Sequence, residues 1–114
     1  RTYAQLWYFH IPFFILNVVI YEWFRQLAFD DPGYIEPTRT DMLRMVEDMK
    51  NGASLDRYCP TCWIHKPYRS KHCKHCNRCV IKMDHHCPFT GNCVGANNLR
   101  LFYIAHGGYV IAEL

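Results

Sequence analysis

The stretch KMDHHCPFTGNCVG, residues 82–95, decides how the chain is read. Asp84, His85, His86 and Cys87 stand in a row, and Cys93 follows. A structural metal site uses these residue types, and so does a thiol nucleophile. In an extended segment side chains alternate, so His85 and Cys87 share one side and His86 takes the other. This predicts a division of labour. His86 faces a metal ion while His85 stays beside the Cys87 thiol. Asp84 either orients an imidazole, as a carboxylate does in a triad, or backs a metal-bound histidine.

All seven cysteines lie between Cys59 and Cys93. The odd count argues against a fully paired disulfide framework, and clustered Cys and His among basic residues point to metal in a reducing compartment. The pattern runs Cys59-x2-Cys62, then His72-Cys73-x2-Cys76-x2-Cys79, then His85-His86-Cys87 and Cys93. Zinc takes four N or S ligands in a tetrahedron, so two closed sites of three cysteines and one histidine leave one thiol over. Spacing leaves the partition open. Cys76 can pair with Cys79 rather than Cys73, and His65 and His75 are competing donors. An all-cysteine site beside a three-cysteine site would consume every thiol.

Outside this region the chain is partitioned. Residues 1–29 hold the apolar run LWYFHIPFFILNVVIYEWFRQLAF from Leu6 to Phe29. As a helix it would span about 36 Å, against about 30 Å for a bilayer core, and it is read as a membrane helix. Trp7, Tyr8, Tyr21 and Trp23 fit interfacial belts, and Glu22 and Arg25 belong near one interface. Pro12 is expected to kink the helix or to sit in its first turn. His10 and Asn17 are read as contacts to other helices. A buried soluble helix is the alternative.

Residues 30–54 form a linker. Asp31-Pro32-Gly33 ends the first helix, and TRTDMLRMVEDMKNG reads as a short amphipathic helix capped by Thr38 or Thr40. Residues 55–98 show no sustained period and are expected to be loops and short hairpins organised by metal. Residues 99–114 read as the start of a second membrane helix, weakened by His106 and the Gly107-Gly108 pair. No internal repeat is read along the chain.

The formal net charge is +3. Residues 54–98 carry Arg57, Lys66, Arg69, Lys71, Lys74, Arg78 and Lys82 against Asp56 and Asp84. Such a basic segment between two spans belongs in the cytosol by the positive-inside rule. The fold class expected is thus an integral membrane α-helical fragment, with a cytosolic, loop-rich two-zinc cysteine-rich domain between two membrane helices.

Residues 59–102, CPTCWIHKPYRSKHCKHCNRCVIKMDHHCPFTGNCVGANNLRLF, closely resemble the Asp-His-His-Cys (DHHC) cysteine-rich domain of membrane protein S-acyltransferases, or palmitoyltransferases. Asp31-Pro32-Gly33 resembles that family's Asp-Pro-Gly motif, and Asn98 and Phe102 match further positions. RSKHCKHCNRC is similar to the subgroup bearing ankyrin repeats. The resemblance implies one zinc on Cys59, Cys62, His72 and Cys79, and another on Cys73, Cys76, His86 and Cys93. It implies Cys87 as acylated nucleophile, His85 as its base and Asp84 as the residue orienting His85. It implies a long-chain acyl-CoA donor, most often palmitoyl-CoA, protein cysteines as acceptors, and a multi-pass protein of Golgi or endoplasmic reticulum. Lys66, Arg69, Lys71 and Lys74 are then candidates for the CoA phosphates or for anionic lipid. Two departures stand out. Phe89 replaces the family's usual Trp and loses its indole donor, and Thr90-Gly91 replaces the more usual Val-Asn or Val-Gly.

Three readings compete. A non-catalytic zinc adaptor would leave Cys87 inert. A RING-type ligase would need another Cys-x2-Cys pair after Cys93. A nucleic-acid-binding finger would need a basic helix, and no nucleic-acid partner is expected.

Overall fold

The computed structural model describes residues 6–113, with side chains to Gly108; residues 1–5 of the first predicted segment lie outside the described residues. Helix α1 runs Trp7–Phe29. Helix α2 runs Arg39–Lys50, and helix α3 runs Leu99–Glu113. Between α2 and α3 lie six short strands: β1 Tyr58–Cys59, β2 Ile64–His65, β3 Lys71–Cys73, β4 Arg78–Val80, β5 His85–Cys87 and β6 Asn92–Val94. They pair in sequence order as three antiparallel hairpins.

Helix α1 is apolar on nearly every face, and Phe13 and Phe14 are 66% and 69% exposed. Even so, among the described residues no helix is long and apolar enough to cross a membrane. This departs from the expectation of a span over residues 6–29. His10, Pro12, Asn17, Glu22, Arg25 and Gln26 dilute the run. Pro12 lies inside the helix, past its first turn. Asn17 does not reach out to another helix; its Nδ2 donates to the Phe13 carbonyl 2.8 Å away. Arg25 pairs with Glu22 at 2.7 and 2.9 Å, and Gln26 donates to the same carboxylate. The polar groups Asn17, Glu22, Arg25 and Gln26 are thus satisfied within the helix. Helix α3 packs against α1. Gly108 permits it, because a Cβ there would stand 3.1 Å from the Trp23 ring.

Helix α2 starts as the sequence predicts, with Thr38 accepting from the Asp41 N–H. Its Met45 is buried and its Asp48 accepts from the Tyr58 hydroxyl at 2.6 Å, which docks the helix on the first hairpin.

The three hairpins repeat one another every 14 residues, contrary to the expectation of no repeat. Cys59 pairs with Ile64, Cys73 with Arg78 and Cys87 with Asn92, so each hairpin has the same register. Each turns through a left-handed residue at the same place: Trp63 (φ 57°), Asn77 (φ 53°) and Gly91 (φ 69°). Little but backbone shape and a few Cys and His positions is shared. A period this short, carried by so few side chains, does not surface in composition or hydrophobic pattern.

The linker seals the hairpins together. Asp31 Oδ1 accepts from the N–H groups of Gly33 (2.8 Å) and Tyr34 (2.7 Å), forming a turn that needs Gly33 at φ 113°. Ile81 N–H then donates to Gly33 O, and Ile35 N–H to Cys79 O. Val80 and Val94 fill the space beneath. Gly95 lies so close that a Cβ would meet Val80 at 2.6 Å and the Pro32 carbonyl at 2.7 Å.

Candidate active site beside two metal clusters

The repeat explains how the ligands partition. The first turn presents Cys59 and Cys62, and the paired strands of the second hairpin present His72 and Cys79 to them. The second turn presents Cys73 and Cys76, and the third hairpin answers with its cross-strand pair His86 and Cys93. Side chains alternate along β3 and β5, so neighbouring residues serve different neighbours. His72 faces back to the first hairpin and Cys73 forward to the third.

Both clusters fit zinc. Sulfur at about 2.3 Å and nitrogen at about 2.0 Å from the ion place tetrahedral ligand atoms about 3.5–3.8 Å apart. His72 Nδ1 lies 3.5, 3.3 and 3.8 Å from the sulfurs of Cys59, Cys62 and Cys79. His86 Nδ1 lies 3.5, 3.5 and 3.6 Å from those of Cys73, Cys76 and Cys93, and the Cys76 and Cys93 sulfurs are 3.6 Å apart. None of the cysteines is in a disulfide. The competing donors stand elsewhere. His65 packs edge-on against Tyr58 at 5.3 Å, and His75 stacks on the His86 ring at 4.7 Å. Each cluster has four N or S donors and leaves no donor position for substrate, as in a structural site.

Cys87 belongs to neither cluster. It opens the third turn, on the opposite side of β5 from His86, and is 8% exposed. His85 shares that side. Its Nδ1 lies 2.7 Å from Asp84 Oδ2, and its ring packs edge-on against Phe102 at 5.1 Å. The Asp84 carboxylate raises the His85 pKa; partial burial opposes this and the Cys87 sulfur adds to it. Burial would push the Cys87 thiol up. The polar groups of Thr90, the Phe89 main chain and His85 outweigh burial and hold it below the ordinary thiol range. A low thiol pKa beside a histidine, backed by a carboxylate, is the arrangement of an activated nucleophile.

The thiol opens on a cleft of about 340 Å³ between α1, α3 and the third turn, with Phe24, Leu27, Phe89, Thr90, Phe102 and His106 among its lining. Its walls are mostly apolar, and Phe24 meets Phe89 edge-on at 6.0 Å. Phe89 itself is 83% exposed. A second cleft, of about 330 Å³, lies by the first hairpin and is lined by Arg57, His65, Lys66 and Ser70 among others. Of the four predicted basic residues only Lys66 lines it. Arg69 lies over the Tyr68 ring at 5.4 Å, while Lys71 and Lys74 are exposed on and after β3. The four are not gathered into one pocket.

The family model described as DHHC palmitoyltransferase matches residues 53–112. This chain belongs to the DHHC palmitoyltransferase family. Among similar proteins, palmitoyltransferase ZDHHC17 of Homo sapiens is 45% identical over 95 residues, which cover 82% of this chain and 15% of that protein. Palmitoyltransferase akr1 of Aspergillus oryzae is 43% identical over 79 residues, covering 66% of this chain and 11% of that one. Palmitoyltransferase Hip14 of Drosophila melanogaster is 35% identical over 96 residues, covering 81% and 15%. The chain therefore spans less than a fifth of the length of these relatives.

Sequence reasoning in the DHHC stretch missed Asn92. It is 6% exposed and makes four hydrogen bonds. Nδ2 donates to the Leu27 and Asp30 carbonyls at 3.0 and 2.9 Å, and Oδ1 accepts from the Tyr34 hydroxyl and the Cys93 N–H. It thereby ties the end of α1 to the hairpin that carries Cys87. No periodicity flags such a residue; an Asn before a ligand cysteine looks like an ordinary turn residue.

Proposed function

We propose that this chain is the reacting centre of a protein S-acyltransferase, which moves a long-chain acyl group, palmitoyl by family, from acyl-CoA to protein cysteines through an acyl-enzyme on Cys87. One observation carries the reading: Cys87 lies outside both metal clusters, beside an Asp84–His85 pair, at the mouth of an apolar cleft.

The chemistry then runs in two thioester exchanges. His85 takes the Cys87 proton, and the thiolate adds to the thioester carbonyl carbon. The carbon–sulfur bond to CoA breaks, and the CoA sulfur takes the proton from His85. In the second exchange the acceptor cysteine gives its proton to His85 and attacks the Cys87 thioester. Cys87 leaves as thiolate. Asp84 holds the His85 ring with Nε2 free to carry the proton. The acyl chain lies along Phe24, Leu27, Phe89 and Phe102, gaining about 0.8 kcal/mol for each methylene removed from water. Zinc in the two clusters would neutralise the thiolates and fix the hairpins, a structural contribution.

We read α1 and α3 as parts of a helical bundle in the membrane. The support is the apolar surface over most of α1 and the internal satisfaction of Asn17, Glu22, Arg25 and Gln26, which lowers the cost of placing them among lipid or other helices. The hairpin domain then faces the cytosol, where its cysteines stay reduced, in Golgi or endoplasmic reticulum membranes by family. Lys66, Arg69, Lys71 and Lys74 are proposed to bind the CoA phosphates or anionic lipid headgroups. The resemblance of RSKHCKHCNRC supports assignment to the ankyrin-bearing subgroup.

The test is to incubate the full-length protein with palmitoyl-CoA, digest it and map the acyl thioester by mass spectrometry. The reading expects one thioester, on the peptide bearing Cys87, with one CoA released for each. Acyl groups only on other cysteines would overturn it.

A further inference from the structure

The three hairpins share one backbone, so position 87 has two counterparts: it is where Cys59 and Cys73 stand in the two metal-binding turns. The likeness extends to the main chain of the turns. The Cys76 N–H lies 3.4 Å from the Cys73 sulfur. The turns close alike, with Trp63 N–H on Cys59 O at 2.8 Å and Gly91 N–H on Cys87 O at 2.9 Å. In the first two turns the second ligand is Cys62 or Cys76. In the third, that position is Thr90.

Two consequences follow. Among the described residues no hairpin follows the third turn to complete a cluster; α3 and the end of α1 stand there instead. Its thiol sits in the same kind of turn but has no second thiol at its side. In place of that thiol is a hydroxyl, half-buried, 3.5 Å from the Cys87 carbonyl.

We propose that Cys87 is the lone thiol of a third metal-type turn, and that Thr90 is a positioning residue whose hydroxyl holds the Cys87 sulfur where the other two turns have a second thiol. The proposal rests on the reading of Cys87 as nucleophile. A hydroxyl donor to a charged acceptor accounts for about tenfold in rate. Because the hydroxyl acts on the sulfur, its loss falls on the rate at saturating donor; a residue that merely lined the cleft would change KM.

The experiment uses the full-length protein in detergent with labelled palmitoyl-CoA, comparing Thr90→Ser, Thr90→Val, Thr90→Cys and Cys87→Ser, with zinc counted in each. Thr90→Val is expected to acylate about tenfold more slowly at saturating palmitoyl-CoA with KM unchanged, and Thr90→Ser to recover most of that loss. Thr90→Cys places two thiols in one turn. Diamide, which takes up two electrons and two protons, is expected to join Cys87 to the introduced thiol in a disulfide, seen in the tryptic map; label is lost and returns with dithiothreitol. Equal rates for Thr90→Val and Thr90→Ser would overturn the role of the hydroxyl. Absence of the disulfide would overturn the third turn. Label surviving in Cys87→Ser would instead overturn the acyl-enzyme reading, and the disulfide result would stand apart from it.

Discussion

Cys87 and Asn92 are partners across the third hairpin, and Asn92 also holds the Leu27 and Asp30 carbonyls at the end of α1. The thiol and the helix wall of its cleft are therefore set by one buried side chain. Replacing Asn92 with Ala strands two carbonyls and the Tyr34 hydroxyl. Leaving buried polar groups unpaired costs about 1–3 kcal/mol each, part of which water recovers at the helix end. We expect Asn92→Ala to lower stability by about 2–4 kcal/mol and to slow acylation while both metal clusters persist. Thermal unfolding with a zinc count checks this; an unchanged melting temperature would remove Asn92 from that role.

Asp84 separates two readings that the sequence left open. Its carboxylate lies 2.7 Å from His85, whereas His86 turns its Nδ1 to the cluster. Asp84→Asn is therefore expected to slow Cys87 acylation by about 10–100-fold with two zinc ions retained. Loss of zinc in the variant would assign Asp84 to the metal-bound histidine.

Metal removal should act at a distance. The hairpins are linked in series, each cluster joining one turn to the next strand pair. His72→Ala opens the first cluster only. It is expected to lower the zinc count to about one per chain and to expose residues 55–70 to protease. Stripping both ions with a chelator is expected to unfold all three hairpins and abolish acylation, although Cys87 binds neither ion. Acylation that survived complete stripping would contradict a structural role for the clusters.

Much of the site was legible because metal chemistry is written in spacing. Cys59-x2-Cys62 and Cys73-x2-Cys76 mark turns that offer two thiols to one ion, and alternation through His85, His86 and Cys87 separates the two histidines. Spacing alone left the partition open, and only the family resemblance implied it. The partition depends on which hairpin faces which, and His65 and Cys79 hold equivalent places in successive repeats while only Cys79 meets a cluster. Helix α1 shows the limit of a hydropathy reading. Asn17 looked like a demand for a partner on another helix, yet it is met within its own helix. Gly107 and Gly108 looked alike in sequence, and among the described residues only Gly108 meets a neighbour, Trp23. Such contacts arise from packing between segments far apart in the chain.

On this reading six cysteines hold metal and the seventh does chemistry. The most direct measurement compares wild-type full-length protein with Cys87→Ser, incubating each with a labelled palmitoyl-CoA analogue, scoring hydroxylamine-sensitive label and counting zinc. Label lost in Cys87→Ser, with about two zinc ions per chain in both proteins, is the predicted result. Label that persists, or zinc that falls in the variant, would contradict the account.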